Sequence, residues 1–171
     1  MISIRPAGTA RKMVKFYRCA QTPCESGRVF MEYRWSSGLQ QFEDAAGIRR
    51  RVFIEEQGFL EEFDKTDRTA RHVTAYLGGL PVAAARLFPT GGGVYHIGRV
   101  AVRREYRGRH LGAELMREVI RKARELGAAR VELDAQRQAA GFYEKLGFQP
   151  FGAPYCEQGC PHINMALDFS G

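Results

Sequence analysis

The sequence contains no long hydrophobic run: none of its apolar stretches approaches the roughly 20 residues that a membrane-spanning helix needs. Its first twenty residues carry several basic side chains but no apolar core of the kind found in signal peptides. Internal repeats and low-complexity tracts are also missing. We therefore expect a protein without a membrane partner, located in the cytoplasm.

Cysteines are few, and their spacing is not typical of a zinc site. The four cysteines form two local pairs, Cys19 with Cys24 and Cys156 with Cys160. These C-x4-C and C-x3-C spacings differ from the C-x2-C spacing of common zinc motifs, so zinc is not expected. A reducing compartment favours free thiols. Disulfides, or a metal held by these thiols or by three of them with His162, stay as alternatives.

The chain is basic but lacks the usual nucleotide motifs. It has 26 basic and 19 acidic residues and a net charge of +7, which suits a nucleotide cofactor, nucleic acid or an acidic surface. The dinucleotide fingerprint and the Walker loop are both missing. Nucleic acid is not expected, because no aromatic stacking motif or zinc-knuckle spacing is present. The run Arg49 to Arg51 is either a patch for an acidic substrate or, more commonly, a solvated helix face.

The length of 171 residues suits one domain with a substantial core. A composition change near residue 30 separates a basic extension, residues 1–30, from a domain at residues 31–171. Hydrophobic periodicity predicts strands at 29–35, 72–77, 81–88, 94–102, 131–135, 148–155 and 162–169, and helices from about 40, at 110–126 and at 138–146. Hairpins followed by a strand-helix-strand crossover indicate an α/β (α+β) fold with a mixed sheet flanked by helices. Gly98 predicts a bulge or a close backbone approach within its strand.

An arginine- and glycine-bearing loop, residues 107–112, lies between strand 94–102 and the most regularly patterned helix. A helix start presents unpaired backbone N–H groups and the positive end of the helix dipole, and glycines let a phosphate approach them closely. The loop therefore predicts an anion site suited to pyrophosphate. The alternative is a glycine-bearing turn whose arginines are solvated.

Three segments, in this order along the chain, resemble the GNAT superfamily of N-acetyltransferases. They are 97–102 (IGRVAV), 107–112 (RGRHLG) and 141–148 (GFYEKLGF). Two outer segments, 51–57 (RVFIEEQ) and 159–165 (GCPHINM), are similar to the ElaA and YjcF-like branch, whose acceptors are largely undefined. The resemblance implies the GNAT fold, with a mostly antiparallel mixed sheet and helices on both faces. It also implies acetyl-CoA as co-substrate.

The resemblance assigns residues that would hold acetyl-CoA. The family's pyrophosphate loop has a glycine where this chain has His110, and Gly112 keeps the next small position. Gln136 stands where many members carry an asparagine that contacts the pantetheine arm. Pantetheine would lie along the bulged strand, where Ala101 or Val102 would offer a backbone N–H to the oxyanion. The full expected set is Val100, Ala101, Val102, Arg107, Gly108, Arg109, His110, Leu111, Gly112, Gln136 and Phe142.

The resemblance also implies that Tyr143, from the family's Phe-Tyr-x-x-x-Gly-Phe motif, protonates the departing thiolate. A phenol with a pKa near ~10 stays protonated at neutral pH and can donate to a thiolate. Tyr143 is one residue off the apolar stripe of Ala139, Phe142 and Leu146. Helical spacing therefore predicts that Tyr143 faces a cleft while Phe142 packs inward.

The general base is the least defined role. Glu56 and His162 are the preferred candidates, and His96 and Glu157 are alternatives, because each could take a proton directly or through water. The structural alternatives are a solvated carboxylate for Glu56 and a hydrogen-bonded strand histidine for His162.

The function implied by the resemblance is an acyl-CoA-dependent N-acyltransferase. We expect it to transfer acetyl from acetyl-CoA to the primary amine of a small molecule or peptide by direct attack. Three alternatives remain: a sensor that binds acyl-CoA without turnover, an enzyme like the acylhomoserine lactone synthases, and a basic RNA-binding protein. The lactone synthases are similar at 51–53, 63–67 and 85–89 but lack the 107–112 pattern. A homodimer is left open.

Overall fold

The structure, a computed structural model, describes residues 16–18 and 28–169. The strands are β1 (Phe16–Arg18), β2 (Arg28–Ser37), β3 (Arg71–Leu77), β4 (Leu80–Gly91), β5 (Val94–Val102), β6 (Arg130–Gln136), β7 (Gln149–Glu157) and β8 (Cys160–Asp168). The α-helices are α1 (Glu43–Arg49), α2 (Leu111–Glu125) and α3 (Ala140–Glu144). A π-helical segment, Arg50–Glu56, continues α1, and 3-10 turns occupy Lys65–Arg68, Arg104–Tyr106 and Arg137–Ala139. None of the helices in these described ranges is long and apolar enough to cross a membrane.

The strands lie side by side in the order β1-β2-β3-β4-β5-β6-β8-β7. Only β5 and β6 are parallel among the described strands, and the other neighbours are antiparallel. This arrangement confirms the mixed, mostly antiparallel sheet. The tight turn between β3 and β4 uses Gly78 and Gly79, both at positive φ, as a two-residue hairpin requires.

The extension proposed for residues 1–30 is only partly described. Within it, β1 pairs antiparallel with β2 and so extends the sheet by one short edge strand. Cys19 and Cys24 lie outside the described residues. The domain boundary near residue 30 and the state of these two cysteines stay predictions.

The parallel strands β5 and β6 are paired with each other over only a short stretch. Across the described lengths of both strands, the register covers only Val94 with Arg130, Tyr95 with Val131, and His96 with Glu132. Beyond His96 the strands diverge, because β5 continues to Val102 and β6 to Gln136 without further pairing to each other. The divergence leaves backbone groups of both strands facing a gap in the middle of the sheet.

A β-bulge interrupts the ladder between β4 and β5. The register moves from Ala84 opposite Ala101 to Arg86 opposite Gly98, so Arg99 and Val100 stand against a single residue of β4. Arg99 has the left-handed φ of 53°, which is the irregularity typical of a bulge. The bulge predicted near Gly98 is therefore confirmed, and it lies immediately after the glycine.

The helix α2 covers one face of the sheet. Its Leu115, Met116 and Val119 are completely buried in the main hydrophobic cluster, as the apolar stripe of this segment predicts. The chain leaves the helix through Gly127 at φ 80°, with Ala128 N–H donating to Ala123 O at 3.0 Å. This is the glycine-terminated end expected from the sequence.

The α1 segment packs on the opposite face through Ala45, Ile48, Val52 and Phe53, which contact Ala84 and Ala101 of the sheet. The prediction of a solvated helix face is wrong for Arg49. Its side chain is fully buried because it donates to two buried carboxylates, Glu62 and Asp67. Arg50 and Arg51 are exposed.

Candidate active site

A cleft of about 1020 Å³ opens where β5 and β6 diverge. Its size lies near the upper end of the range usual for ligand sites, roughly 300–1,000 Å³. One end is formed by the start of α2 and by α3, and the other by the loop after α1 and by β8. Three regions expected to be functional, the loop at 107–112, Tyr143 and His162, therefore line one cavity.

The start of α2 forms the anion-binding end of the cleft. The helical hydrogen bonds begin with Glu114 N–H donating to His110 O at 3.1 Å, so the preceding N–H groups have no helical acceptor. Gly108 and His110 both have positive φ, at 74° and 60°. His110 thus adopts a conformation that favours glycine, which accounts for the glycine that the resembling family has at this position. The backbone geometry fits a pyrophosphate.

Gly112 packs closely against β5 and α3 at the side of this loop. A Cβ at this position would lie 3.4 Å from Val102 Cγ2 and 3.6 Å from Phe142 Cζ. The glycine therefore maintains close packing between α2, β5 and α3, at a point where the cleft is lined by Val102 and Phe142. Leu111 is buried beneath the loop and also reaches the cleft.

Arg107 is held by protein groups. Its Nε donates to Val102 O at 2.9 Å, and its Nη1 and Nη2 form a bidentate ion pair with Glu56. The hydrogen bond from Arg107 lowers the pKa of Glu56, against a smaller opposing effect of burial. Glu56 does not line the main cleft among the described residues, so the structure does not bring it together with Tyr143 and His162.

Two other arginines differ in their relation to the cleft. Arg109 is exposed and lies over the ring of Tyr106, with 5.7 Å from Cζ to the ring centroid. It does not reach the cleft, whereas Arg117 on α2 lines it and pairs with Glu114 at 2.6 Å. The sequence pattern missed Arg117, although it lies on the second turn of the predicted helix.

Tyr143 is buried at the floor of the cleft, and burial raises the pKa of its hydroxyl to about 12. Its ring contacts Phe142 and Phe148 edge-on, at centroid distances of 5.0 and 6.1 Å. Phe142 is only half-buried. Tyr143 faces the cleft as predicted, but Phe142 also lines the cleft and does not pack fully inward. Both residues lie in α3, which spans only five residues after a 3-10 turn.

His162 has a defined tautomer on β8. Its Nδ1 lies 2.9 Å from Cys160 O, and a carbonyl can only accept, so Nδ1 carries the proton. The Nε2 lone pair is left to accept a proton. Tyr155 stacks on the imidazole with ring centroids 5.8 Å apart, and His162 is buried against the cleft.

A carboxylate links this region to β5. Asp134 Oδ2 lies 3.3 Å from His96 Nε2, and the hydroxyl of Tyr155 also donates to Asp134. The hydrogen bond from His96 lowers the pKa of Asp134, whereas burial and the Asp134 charge raise the pKa of Tyr155. Asp134 and Tyr155 are not among the site residues predicted from the sequence. Alternation along β6 could have indicated Asp134, since it lies on the same strand face as Gln136.

The remaining residues expected to hold acetyl-CoA differ in whether they line the cleft. Val100 and Val102 line the cleft, whereas Ala101 is buried against α1. Gln136 lines the cleft, but its amide already donates to Gln57 Oε1 at 2.9 Å and accepts from Gln138 at 3.0 Å. These bonds use one of the two N–H donors and one of the two lone pairs of the amide, so Gln136 can also contact a ligand.

No cluster of three metal-ligating side chains occurs in the described parts of the chain. Cys156 and Cys160 are free thiols on the β7–β8 hairpin, and Cys156 is exposed. Their pairing with Cys19 and Cys24 concerns residues that the structure does not describe.

The family of the chain follows from comparison with known proteins. Residues 42–169 match the acetyltransferase (GNAT) domain family. The chain belongs to the GNAT acetyltransferase family. Over 132 residues it is 31% identical to the uncharacterized N-acetyltransferase YjcF of Bacillus subtilis, covering 75% of this chain and 94% of YjcF.

Solved GNAT structures agree with this assignment. The crystal structure of Escherichia coli ElaA superposes with a TM-score of 0.74 at 29% identity, covering 81% of this chain and 99% of ElaA. An acyl-CoA N-acyltransferase from Pseudomonas aeruginosa gives 0.72 at 27% identity, covering 80% and 98%. The GNAT fold and the ElaA and YjcF-like branch expected from the sequence are confirmed, and this GNAT protein is an acyltransferase.

Proposed function

We propose that the protein transfers acetyl from acetyl-CoA to a primary amine, with Tyr143 as the acid and His162 as the base. The observation that carries the proposal is that the start of α2, Tyr143 and His162 line one continuous cleft. An acyl-transfer enzyme needs a site for the cofactor phosphates, a proton donor for the thiolate and a proton acceptor for the amine, and the cleft contains a candidate for each.

The cofactor would bind along the gap between β5 and β6. Backbone N–H groups of residues 108–113 would hold the pyrophosphate, with Arg117 as an additional cation. The pantetheine arm would lie against Val100 and Val102, where β5 has no partner strand. A backbone N–H near the Arg99–Val100 bulge would stabilise the oxyanion.

The chemical step is direct attack. The amine nitrogen attacks the thioester carbonyl carbon, and His162 Nε2 accepts the proton that this nitrogen loses. The C–S bond then breaks, its electron pair goes to sulfur, and Tyr143 donates its proton to the thiolate. The raised pKa keeps Tyr143 protonated at neutral pH, so the proton that it would donate is present. His162 is preferred to Glu56 because Glu56 is occupied by Arg107.

The three alternative functions have no observation in their favour comparable to the continuous cleft. A non-catalytic sensor would need the cofactor end of the cleft but not the His162 end, and both are formed. An enzyme like the lactone synthases would use the same acyl-transfer chemistry on a different acceptor. A basic RNA-binding protein has no need of a buried tyrosine beside a helix start.

The test is thiol release from acetyl-CoA in the presence of a panel of primary amines. Tyr143→Phe should lower kcat by about 100-fold or more, the usual contribution of a positioned acid, with little change in KM for acetyl-CoA. Tyr106→Phe, which removes a phenol from the mouth of the same cleft, is the matched control and should retain activity. Equal rates for wild type and Tyr143→Phe would remove Tyr143 as the acid. Cofactor binding without thiol release from any amine would favour the sensor.

A further inference from the structure

The end of the cleft opposite α2 contains a buried arginine whose hydrogen bonds are incomplete. Arg86 lies on β4 opposite Gly98, lines the cleft and has a side chain that is 6% exposed. Its Nη1 donates to Asp64 at 2.8 Å and to Asp67 at 2.9 Å. Its Nε is buried and has no acceptor, and within the described chain Nη2 donates to no protein group either.

The unused donors form one edge of the guanidinium. Nε and Nη2 present parallel N–H bonds, the arrangement that binds a carboxylate through two hydrogen bonds. A buried donor without an acceptor is costly, so an oxygen ligand that satisfies it gains more than it would at a solvated side chain. The chemistry of this edge therefore selects an anionic group with two oxygens.

Gly98 places no side chain against this edge. A Cβ at residue 98 would lie 3.7 Å from Arg86 Nε, 3.8 Å from Nη2 and 3.8 Å from His96 Cδ2. Gly98 is not among the residues with positive φ, so its backbone does not require glycine. A glycine inside a strand weakens it, and the space left beside Arg86 accounts for its presence here.

The charges around Arg86 suit a ligand that carries both signs. Three arginines, at 49, 86 and 99, balance three carboxylates, at 62, 64 and 67, in one connected network. Further along the cleft, Asp134 and Glu157 add negative charge beside His162. A ligand with a carboxylate beside Arg86 and an amine facing Asp134 would match this distribution of charge.

We propose that the acceptor is an α-amino acid whose carboxylate binds the Nε–Nη2 edge of Arg86. This inference rests on the proposed N-acetyltransferase function and names the chemical class of its acceptor. The bulge at Arg99–Val100 follows directly after Gly98, so an amine attached to the same carbon as the carboxylate lies next to the site of acyl transfer.

The test compares amino acids with the same molecules lacking the carboxylate: leucine with isoamylamine, phenylalanine with phenethylamine, and lysine with cadaverine. Gly98→Ala is the diagnostic variant because it places a methyl group against the Arg86 edge, whereas replacing Arg86 would also remove one of the two arginine partners of the buried Asp67. Gly47→Ala is the control, since a Cβ there has no neighbour within 4 Å. Thiol release from acetyl-CoA gives kcat and KM, and calorimetry measures amino-acid binding without turnover.

Wild type should use at least one amino acid about 10-fold or more better than its decarboxylated partner, the usual effect of a charge-assisted hydrogen-bonded pair. Gly98→Ala should raise KM for that amino acid by about 10-fold or more and leave the decarboxylated amine unchanged. Equal use of both members of every pair, or equal losses in Gly98→Ala, would overturn the inference while leaving the acetyltransferase function intact. Amino-acid binding that Gly98→Ala weakens, without any thiol release, would support the carboxylate site and reject the proposed function.

Discussion

Replacing Arg49 with methionine should destabilise the protein far more than the same change at Arg51 in the same arginine run. Arg49 is completely buried, with Nε 2.6 Å from Glu62 Oε1 and Nη1 2.7 Å from Asp67 Oδ1. Methionine would occupy much of the volume but leave both carboxylates buried without their shared cation. Arg51 is 53% exposed and meets Glu105 at 3.5 Å.

The magnitude follows from these environments. Removing one partner of a buried ion pair costs about 3–5 kcal/mol, whereas an exposed pair contributes at most about 1 kcal/mol. In a chain of this size each kcal/mol lowers Tm by about 2–4 °C. Arg49→Met should therefore lower Tm by roughly 6–20 °C, and Arg51→Met by no more than about 4 °C. Circular dichroism melts of the three proteins at pH 7 measure this difference.

The pH dependence gives a second test of the same network. Burial would raise the pKa of Asp67, but hydrogen bonds and charges from Arg49 and Arg86 outweigh it and lower the pKa to about 2. Because this folded-state value is below the unfolded value of about 3.9, the stabilisation is complete above that pH and is lost as pH falls toward 2. The Tm difference between Arg49→Met and wild type should thus stay nearly constant from pH 7 to about 5 and shrink as pH is lowered from about 4 toward 2. Equal melting of Arg49→Met and Arg51→Met at pH 7 would refute the reasoning.

Two further predictions concern histidines. Residue 110 has φ 60°, where a β-branched side chain is strained by about 1–2 kcal/mol. His110→Val should therefore lower Tm and raise KM for acetyl-CoA. His110→Gly should keep Tm within a few degrees of the wild-type value. Melts and steady-state kinetics that fail to separate the two variants would contradict this. Burial lowers the pKa of His72, so its contribution to stability should be complete above about pH 6.5 and decline below it, as the unfolded chain takes up the proton first. Urea midpoints between pH 7.5 and 5.5 should show a smaller decline for His72→Gln, and parallel declines would exclude His72 as the cause.

Local signals predicted most of the fold. Gly127 ends α2, and Gly78 and Gly79 form the hairpin turn, because each of these three glycines has a positive φ that few other residues adopt. The bulge lies directly after Gly98, as a glycine within a strand predicts. The helix α2 was also predictable, since its apolar stripe is continuous over several turns. These features depend on residues close together in the sequence.

The errors concern side chains whose environment depends on distant residues. Arg49 is buried because Glu62 and Asp67, 13 and 18 residues away, turn back toward it. Phe142 lines the cleft beside the more buried Tyr143, in a helix of only five residues that follows a 3-10 turn. An ion-pair partner in a distant loop does not alter the hydrophobic periodicity of the sequence, and neither does a short 3-10 turn.

The divergence of β5 and β6 also has a consequence for unwanted association. An unpaired strand edge normally invites pairing with another polypeptide chain, and proteins protect their outer edges against it. Here two such edges face each other inside the fold, because β5 and β6 pair only at Val94 to His96 and then diverge. Since β4 and β8 cover their other sides, these edges lie in the middle of the sheet and not at its rim. The fold thus moves a feature that elsewhere promotes aggregation from the outer edge of the sheet to its interior.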